Sequence, residues 1–227
     1  MELRDRLARI RDQMAEAALR SGREPGAVTL LTVTKGFGVE VAREAFALDL
    51  VDLGENRVQE AEGKIAAIGA GPRWHLIGHL QTNKAKRAVQ LFDAIHSVDS
   101  LRLAEDLARR AAVEGRAIRC YVEVRTTDES TKAGIAPDEA LALVERMKSL
   151  APLQVVGLMT MGPLQGGSEG ARSSFRALRR LRDEGIERGI LGAGAGLSMG
   201  MSDDFEIAIE EGATIVRIGS ALFGPRS

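Results

Sequence analysis

Hydrophobic positions along this chain change period many times. Leu3, Leu7, Ile10 and Met14 recur at helical spacing with Arg, Asp and Glu between them, which predicts an amphipathic helix over residues 1–21. Gly22 and Pro25 end it. Residues 28–34, VTLLTVT, are short, apolar and β-branched and read as a buried strand. Further apolar runs follow at 50–53, 74–77, 94–98, 118–124, 153–159, 195–198 and 214–218. Between them lie longer helical patterns at 39–48, 57–68, 83–91, 101–113, 137–150, 173–187 and 202–210. Pro137 suits a first helical turn, and Ser202 suits an N-cap with Asp203 and Asp204 at the positive helix end.

Strictly alternating strands and helices imply a parallel sheet with right-handed crossovers. Eight such units in about 200 residues predict a single TIM-type (β/α)8 barrel over 1–227, with the N-terminal helix packed on it. An open doubly wound sheet gives the same local pattern and is the alternative. No linker or low-complexity tract divides the chain. The glycine-rich stretch 189–200 precedes or contains a strand, so it is a poor dinucleotide-binding fingerprint.

Composition removes several function classes. Lys and Arg total 31 against 32 Asp and Glu, so no basic field draws the chain to nucleic acid or anionic lipid. The N-terminus is charged from the start and no apolar run is long enough to span a bilayer. A cytoplasmic protein is expected. The one cysteine, Cys120, lies in an apolar run and reads as a small core residue. His75 and His79 are not joined by a cluster of ligands at metal spacing, so no metal site is expected.

Three features carry candidate chemistry. Lys35 stands at the C-terminal end of the first strand, the end where barrel sites are built. A lysine walled by apolar groups loses solvation of its charged form and becomes a nucleophilic amine; a solvated strand-end lysine is the plainer reading. The turns after strands seven and eight carry Ser198, Met199 and Gly200, then Gly219 and Ser220. Small residues, hydroxyls and open N–H groups there suit a phosphate, and also suit ordinary tight turns. Arg217 lies within the apolar run IVRIG, where an unpaired guanidinium is costly. Either a salt bridge or a ligand must partner it.

Several motifs then occur in order: TVTK at 32–35, GENRVQE at 54–60, WHLIGHLQTNK at 74–84, STKAGI at 130–135, GLMTM at 157–161, LSMGMSDD at 197–204 and RIGSALFG at 217–224. With them the chain resembles, nearly end to end, the pyridoxal 5′-phosphate (PLP) homeostasis proteins, an alanine-racemase-like family. The resemblance implies a fold-type III PLP barrel without the racemases' C-terminal β-domain. It implies PLP held as a Schiff base on Lys35. Ser198, Gly219 and Ser220, with Met199 beside them, would form the phosphate cradle. Arg217 would face the pyridine nitrogen, Asn56 and His79 would line the mouth, and Lys132 would stand as an accessory lysine near the opening. Where many members carry a proline soon after the lysine, this chain has Gly36–Phe37–Gly38, which predicts a freer loop.

The same residues bear on catalysis. An arginine at the ring nitrogen leaves PLP a weak electron sink. A two-base racemase needs a tyrosine opposite the lysine, and the single tyrosine, Tyr121, lies in a predicted strand. In the racemases that tyrosine comes from the additional β-domain, which the chain is expected to lack. The expected function is PLP binding in intracellular homeostasis, without robust catalysis, by a monomer that meets PLP-dependent apoenzymes transiently. An amino-acid racemase and a PLP-independent barrel for a phosphorylated metabolite are the alternatives.

Overall fold

The computed structural model describes residues 2–127, 129, 133–163 and 165–225. Eight strands close into a parallel barrel in chain order. They are β1 (Thr29–Val33), β2 (Asp52–Glu55), β3 (Arg73–Leu76), β4 (Ala94–Val98), β5 (Ile118–Glu123), β6 (Leu153–Met159), β7 (Gly196–Ser198) and β8 (Ile215–Ile218). Around them run α1 (Leu3–Arg20), α2 (Val39–Ala47), α3 (Val58–Ile68), α4 (Ala85–Leu91), α5 (Leu101–Val113), α6 (Pro137–Met147), α7 (Gly167–Glu187), α8 (Phe205–Glu210) and α9 (Ser220–Phe223). The doubly wound alternative is excluded because β8 returns to pair with β1, Leu31 beside Arg217 and Thr32 beside Ile218.

Strand parity sorts side chains into two cores. Leu31, Val33, Ile77, Tyr121, Met159 and Ile215 pack together inside the barrel. Leu53, Val216 and Ile218 point the other way and join the layer beneath the helices. Phe92 and Phe175 are wholly buried in that layer, each stabilising it by about 1.5–3 kcal/mol. Helix α1 buries Leu3, Leu7, Ile10 and Met14 and packs on α8 and α9, with Arg20 paired to Glu206 and Glu210. Cys120 is fully buried, and burial pushes its thiol up to about 12; it is an unreactive core atom.

Two helix starts differ from the periodicity. Helix α7 begins already at Gly167, where a glycine-rich run, poor in helix propensity, hides its first turns. Helix α8 begins at Phe205 with Asp204 at its N-cap. Ser202 does not cap it, because its hydroxyl is engaged by the chain after β8. Among the described residues, no helix is long and apolar enough to cross a membrane.

Candidate functional site

Lys35 follows β1 directly, in a tight turn. The Phe37 N–H donates to the Thr34 carbonyl at 3.1 Å, and Gly36 has φ 74°, the left-handed value that the third position of a type II turn demands. A buried charged cluster grips this turn from below. Lys64 Nζ donates to the Thr34 carbonyl at 2.7 Å, to Glu55 Oε1 at 2.6 Å and to Glu60 Oε1 at 3.1 Å. Glu60 Oε1 also accepts from the Gly36 N–H at 2.5 Å. Groups on both sides of Lys35 are therefore held. Burial pushes the Glu55 carboxyl up, against the hydrogen bonds from Lys64 and Thr34. The Phe37 ring packs on Phe223 of α9 at 5.1 Å. The Gly36–Phe37–Gly38 loop is tied on both sides, not freed as the missing proline suggested.

Lys35 lines a cavity of about 260 Å³ at the C-terminal mouth of the barrel, just under the range of about 300–1,000 Å³ usual for small-molecule sites. Asn56, His79, Arg217, Gly219 and Ser220 line it too, between apolar walls of Val33, Ile77, Met161 and Met201. Five elements of the barrel thus bring six of the sequence candidates together. The loops after β2 and β3 touch because Gly78 lacks a Cβ, which would lie 2.4 Å from the Asn56 carbonyl oxygen. The half-exposed His79 ring stands 3.8 Å from an Asp99 oxygen.

Ser198 and Met199 are not brought to this cavity. Ser198 points into the barrel and is fully buried, its Oγ 2.9 Å from His96 Nδ1 and 2.9 Å from an Arg217 nitrogen. Met199 points outward into the layer under the helices. The physical reason is the period-two alternation of β7, which places Leu197 and Met199 out and Ser198 in. The chain reaches the mouth at Met201, Ser202 and Asp203. Ser202 Oγ accepts from the N–H groups of Gly219, at 3.4 Å, and Ala221, at 3.2 Å, so it pins the loop after β7 to the start of α9. Sequence reasoning chose the first serine of LSMGMSDD; β7 ends at that serine, and the second lies in the chain beyond it. Lys132 lies outside the described residues.

Arg217 is buried on the cavity floor, and its partners are neutral oxygens. Nη1 donates to the Ser198 carbonyl at 2.7 Å and to Ser198 Oγ at 2.9 Å, and Nη2 to the Thr160 carbonyl at 2.8 Å. Burial lowers the guanidinium to about 10, against the charges of Asp204 and Glu123; it remains a cation at neutral pH. Glu123 closes β5 nearby. Burial, and then the charge of Asp99, push its carboxyl up to about 7 in spite of Arg217. Tyr121 does not face Lys35. It stacks on His96 with ring centroids 4.3 Å apart and lines a separate cavity with Thr29, Arg119 and Thr214 at the N-terminal opening.

Residues 6–227 match the family model described as alanine racemase, N-terminal domain. The pyridoxal phosphate homeostasis protein of Aquifex aeolicus is 43% identical over 223 residues, covering 98% of this chain and 97% of that protein. The chain belongs to the pyridoxal phosphate homeostasis protein family. Its structure is similar to that of PipY from Synechococcus elongatus, at 37% identity over 98% of this chain and 100% of PipY. The TM-score is 0.89 to PipY without PLP and 0.84 to PipY with PLP bound. An alanine racemase of Clostridium difficile, 18% identical, matches with a TM-score of 0.80 over 98% of this chain and 56% of its own. The homeostasis family therefore shares its barrel with the racemases.

Proposed function

We propose that this chain binds PLP at the barrel mouth, attached covalently to Lys35, and serves PLP homeostasis and not amino-acid turnover. One observation carries the reading: a single cavity is lined by an amine, Lys35, a buried guanidinium, Arg217, and a hydroxyl-and-glycine turn, Ser202 with Gly219 and Ser220. The donor set fits each part of PLP. The Lys35 amine condenses with an aldehyde, releasing water. Ser202, Ser220 and nearby backbone N–H groups suit a phosphate. Arg217 keeps donors for an aromatic nitrogen that carries no proton. Val33, Ile77, Met161 and Met201 keep water from the flanks of a ring. That PipY was solved with PLP bound supports the same assignment.

Bound PLP supplies an electrophilic aldehyde on an electron-withdrawing ring. Arg217 retains its own proton, so it leaves that withdrawing power low. A racemase would also need a second base across from Lys35, and Tyr121 lies at the other end of the barrel. We read residues 1–227 as one PLP-binding unit, a cytoplasmic monomer that passes PLP to apoenzymes.

Purified protein mixed with PLP should turn yellow. Borohydride should then fix the chromophore to the denatured chain, and Lys35→Ala should abolish that fixation. Equal fixation in Lys35→Ala would overturn the attachment site, and a colourless wild type would favour a barrel for another phosphorylated metabolite. Rapid α-proton exchange with any common amino acid would overturn the carrier role.

A further inference from the structure

Inside the barrel, a line of polar side chains runs from Arg217 to the N-terminal rim. Ser198 Oγ lies 2.9 Å from His96 Nδ1, His96 Nε2 lies 3.0 Å from His75 Nδ1, and His75 Nε2 lies 3.1 Å from Asp52 Oδ1. Asp52 is gripped in turn by Arg73, Nε and Nη2 each at 2.7 Å. All four side chains from Asp52 to Ser198 are buried.

The protons of this line can be placed by counting donors and acceptors. Arg217 can only donate, so Ser198 Oγ accepts from it. Among the described residues, the one other side-chain partner of Ser198 Oγ is His96 Nδ1, so the hydroxyl proton points there. His96 Nδ1 is then an acceptor, and its proton sits on Nε2 and points to His75 Nδ1. His75 is fixed in the same way, with its proton on Nε2 toward Asp52. The far end agrees independently: burial opposes it, but the hydrogen bonds of Arg73 and His75 hold the Asp52 carboxyl below its usual range, an acceptor only. Burial, with the charge of Arg217, also keeps His96 from protonating.

We propose that Ser198, His96, His75 and Asp52 are positioning residues for Arg217, joined in one string in which every donor points from Arg217 toward Asp52 and both histidines are neutral Nε2–H tautomers. The negative end of each aligned dipole faces the guanidinium, and each hydrogen bond polarises the next. The string thereby stabilises a buried cation without placing a carboxylate in contact with it. Of the five guanidinium N–H groups, three are held by Ser198 and Thr160. Among the described residues nothing takes Nε–H or the second Nη2–H, which leaves them for the cavity that Arg217 lines. The consequence for the cofactor rests on the function proposed above.

Nitrogen-15 NMR of histidine-labelled protein, prepared without PLP, reads the tautomers directly. Both His75 and His96 should be Nε2–H; an Nδ1–H tautomer or an imidazolium at either position overturns the string. Two variants test its effect. In His96→Gln the amide can accept from Ser198 and donate to His75, whereas His96→Leu can do neither. The leucine variant should bind PLP up to about tenfold more weakly, the upper end for one lost neutral hydrogen bond, and should shift the visible absorption maximum of the bound cofactor. The glutamine variant should stay near wild type in both. Equal affinity and spectrum in all three proteins would overturn the positioning role. The wild-type tautomers decide the string whether or not the leucine variant folds. A wild type that takes up no PLP would instead defeat the proposed function and leave the tautomer result standing.

Discussion

Lys35 and Arg217 line one cavity, yet the barrel supports them in opposite ways. Beneath Lys35 the support is ionic: Lys64, Glu55 and Glu60 lie in contact and grip the turn on either side of the lysine. Behind Arg217 the support is made of neutral oxygens, with the nearest ionised end of the string displaced to Asp52. The difference follows from what is being held. A turn can be fixed through its backbone by a charge cluster in which one ammonium holds two carboxylates. On the proposed function, the Arg217 guanidinium keeps its charge and its donors for the ligand by having dipoles in place of a contacting carboxylate. The ionic support depends on having all its members, since removing one leaves a buried charge. The dipolar support fails more gradually, one hydrogen bond at a time.

Substitutions on the two sides should therefore differ in size. Lys64→Met should have the largest effect, because it strands Glu55 in the interior; a loss of about 3–5 kcal/mol is expected from urea unfolding. Adding Glu55→Gln should recover much of that loss, and no recovery would mean that the ion pair is not the source.

On the Arg217 side, Glu123→Gln tests the carboxyl that burial has pushed from 4.5 to about 7. The folded state keeps this proton longer than the unfolded state. The associated stability is thus complete below the unfolded value and lost as pH rises through about 7. Glutamine removes that dependence. The variant should match wild type in acid and exceed it by up to about 3 kcal/mol above neutrality; a gap that does not change with pH would count against the assigned shift.

Ser198→Ala leaves Arg217 Nη1 and His96 Nδ1 each short of a partner, for about 1–3 kcal/mol of stability. PLP affinity should fall while borohydride fixation at Lys35 persists, and unchanged affinity would break the contrast between the two supports. Gly36→Ala should be the mildest, about 1–2 kcal/mol from the left-handed φ of the turn, visible as a lower melting temperature with PLP fixation retained.

Much of this molecule was legible along the chain because the responsible rules are local. Period-two and helical patterns marked the strands and helices, and they located Lys35 at a strand end and Arg217 within an apolar strand. The turn chemistry at Gly36 is equally local. The motif order pointed to the family and to the mouth residues Asn56, His79, Gly219 and Ser220. Closure of the barrel decided the rest. It set Ser202 at the mouth and Ser198 in the interior, a distinction that depends on how far β7 extends before the chain turns. It supplied the Thr160 carbonyl to Arg217 and brought Lys64 of α3 under the turn after β1. It also carried β4 across to β7, so that His96 meets Ser198. Such contacts join residues far apart in sequence, so neither the period of one strand nor the chemistry of one turn encodes them; only the closed sheet, pairing β8 with β1, puts them within hydrogen-bond reach.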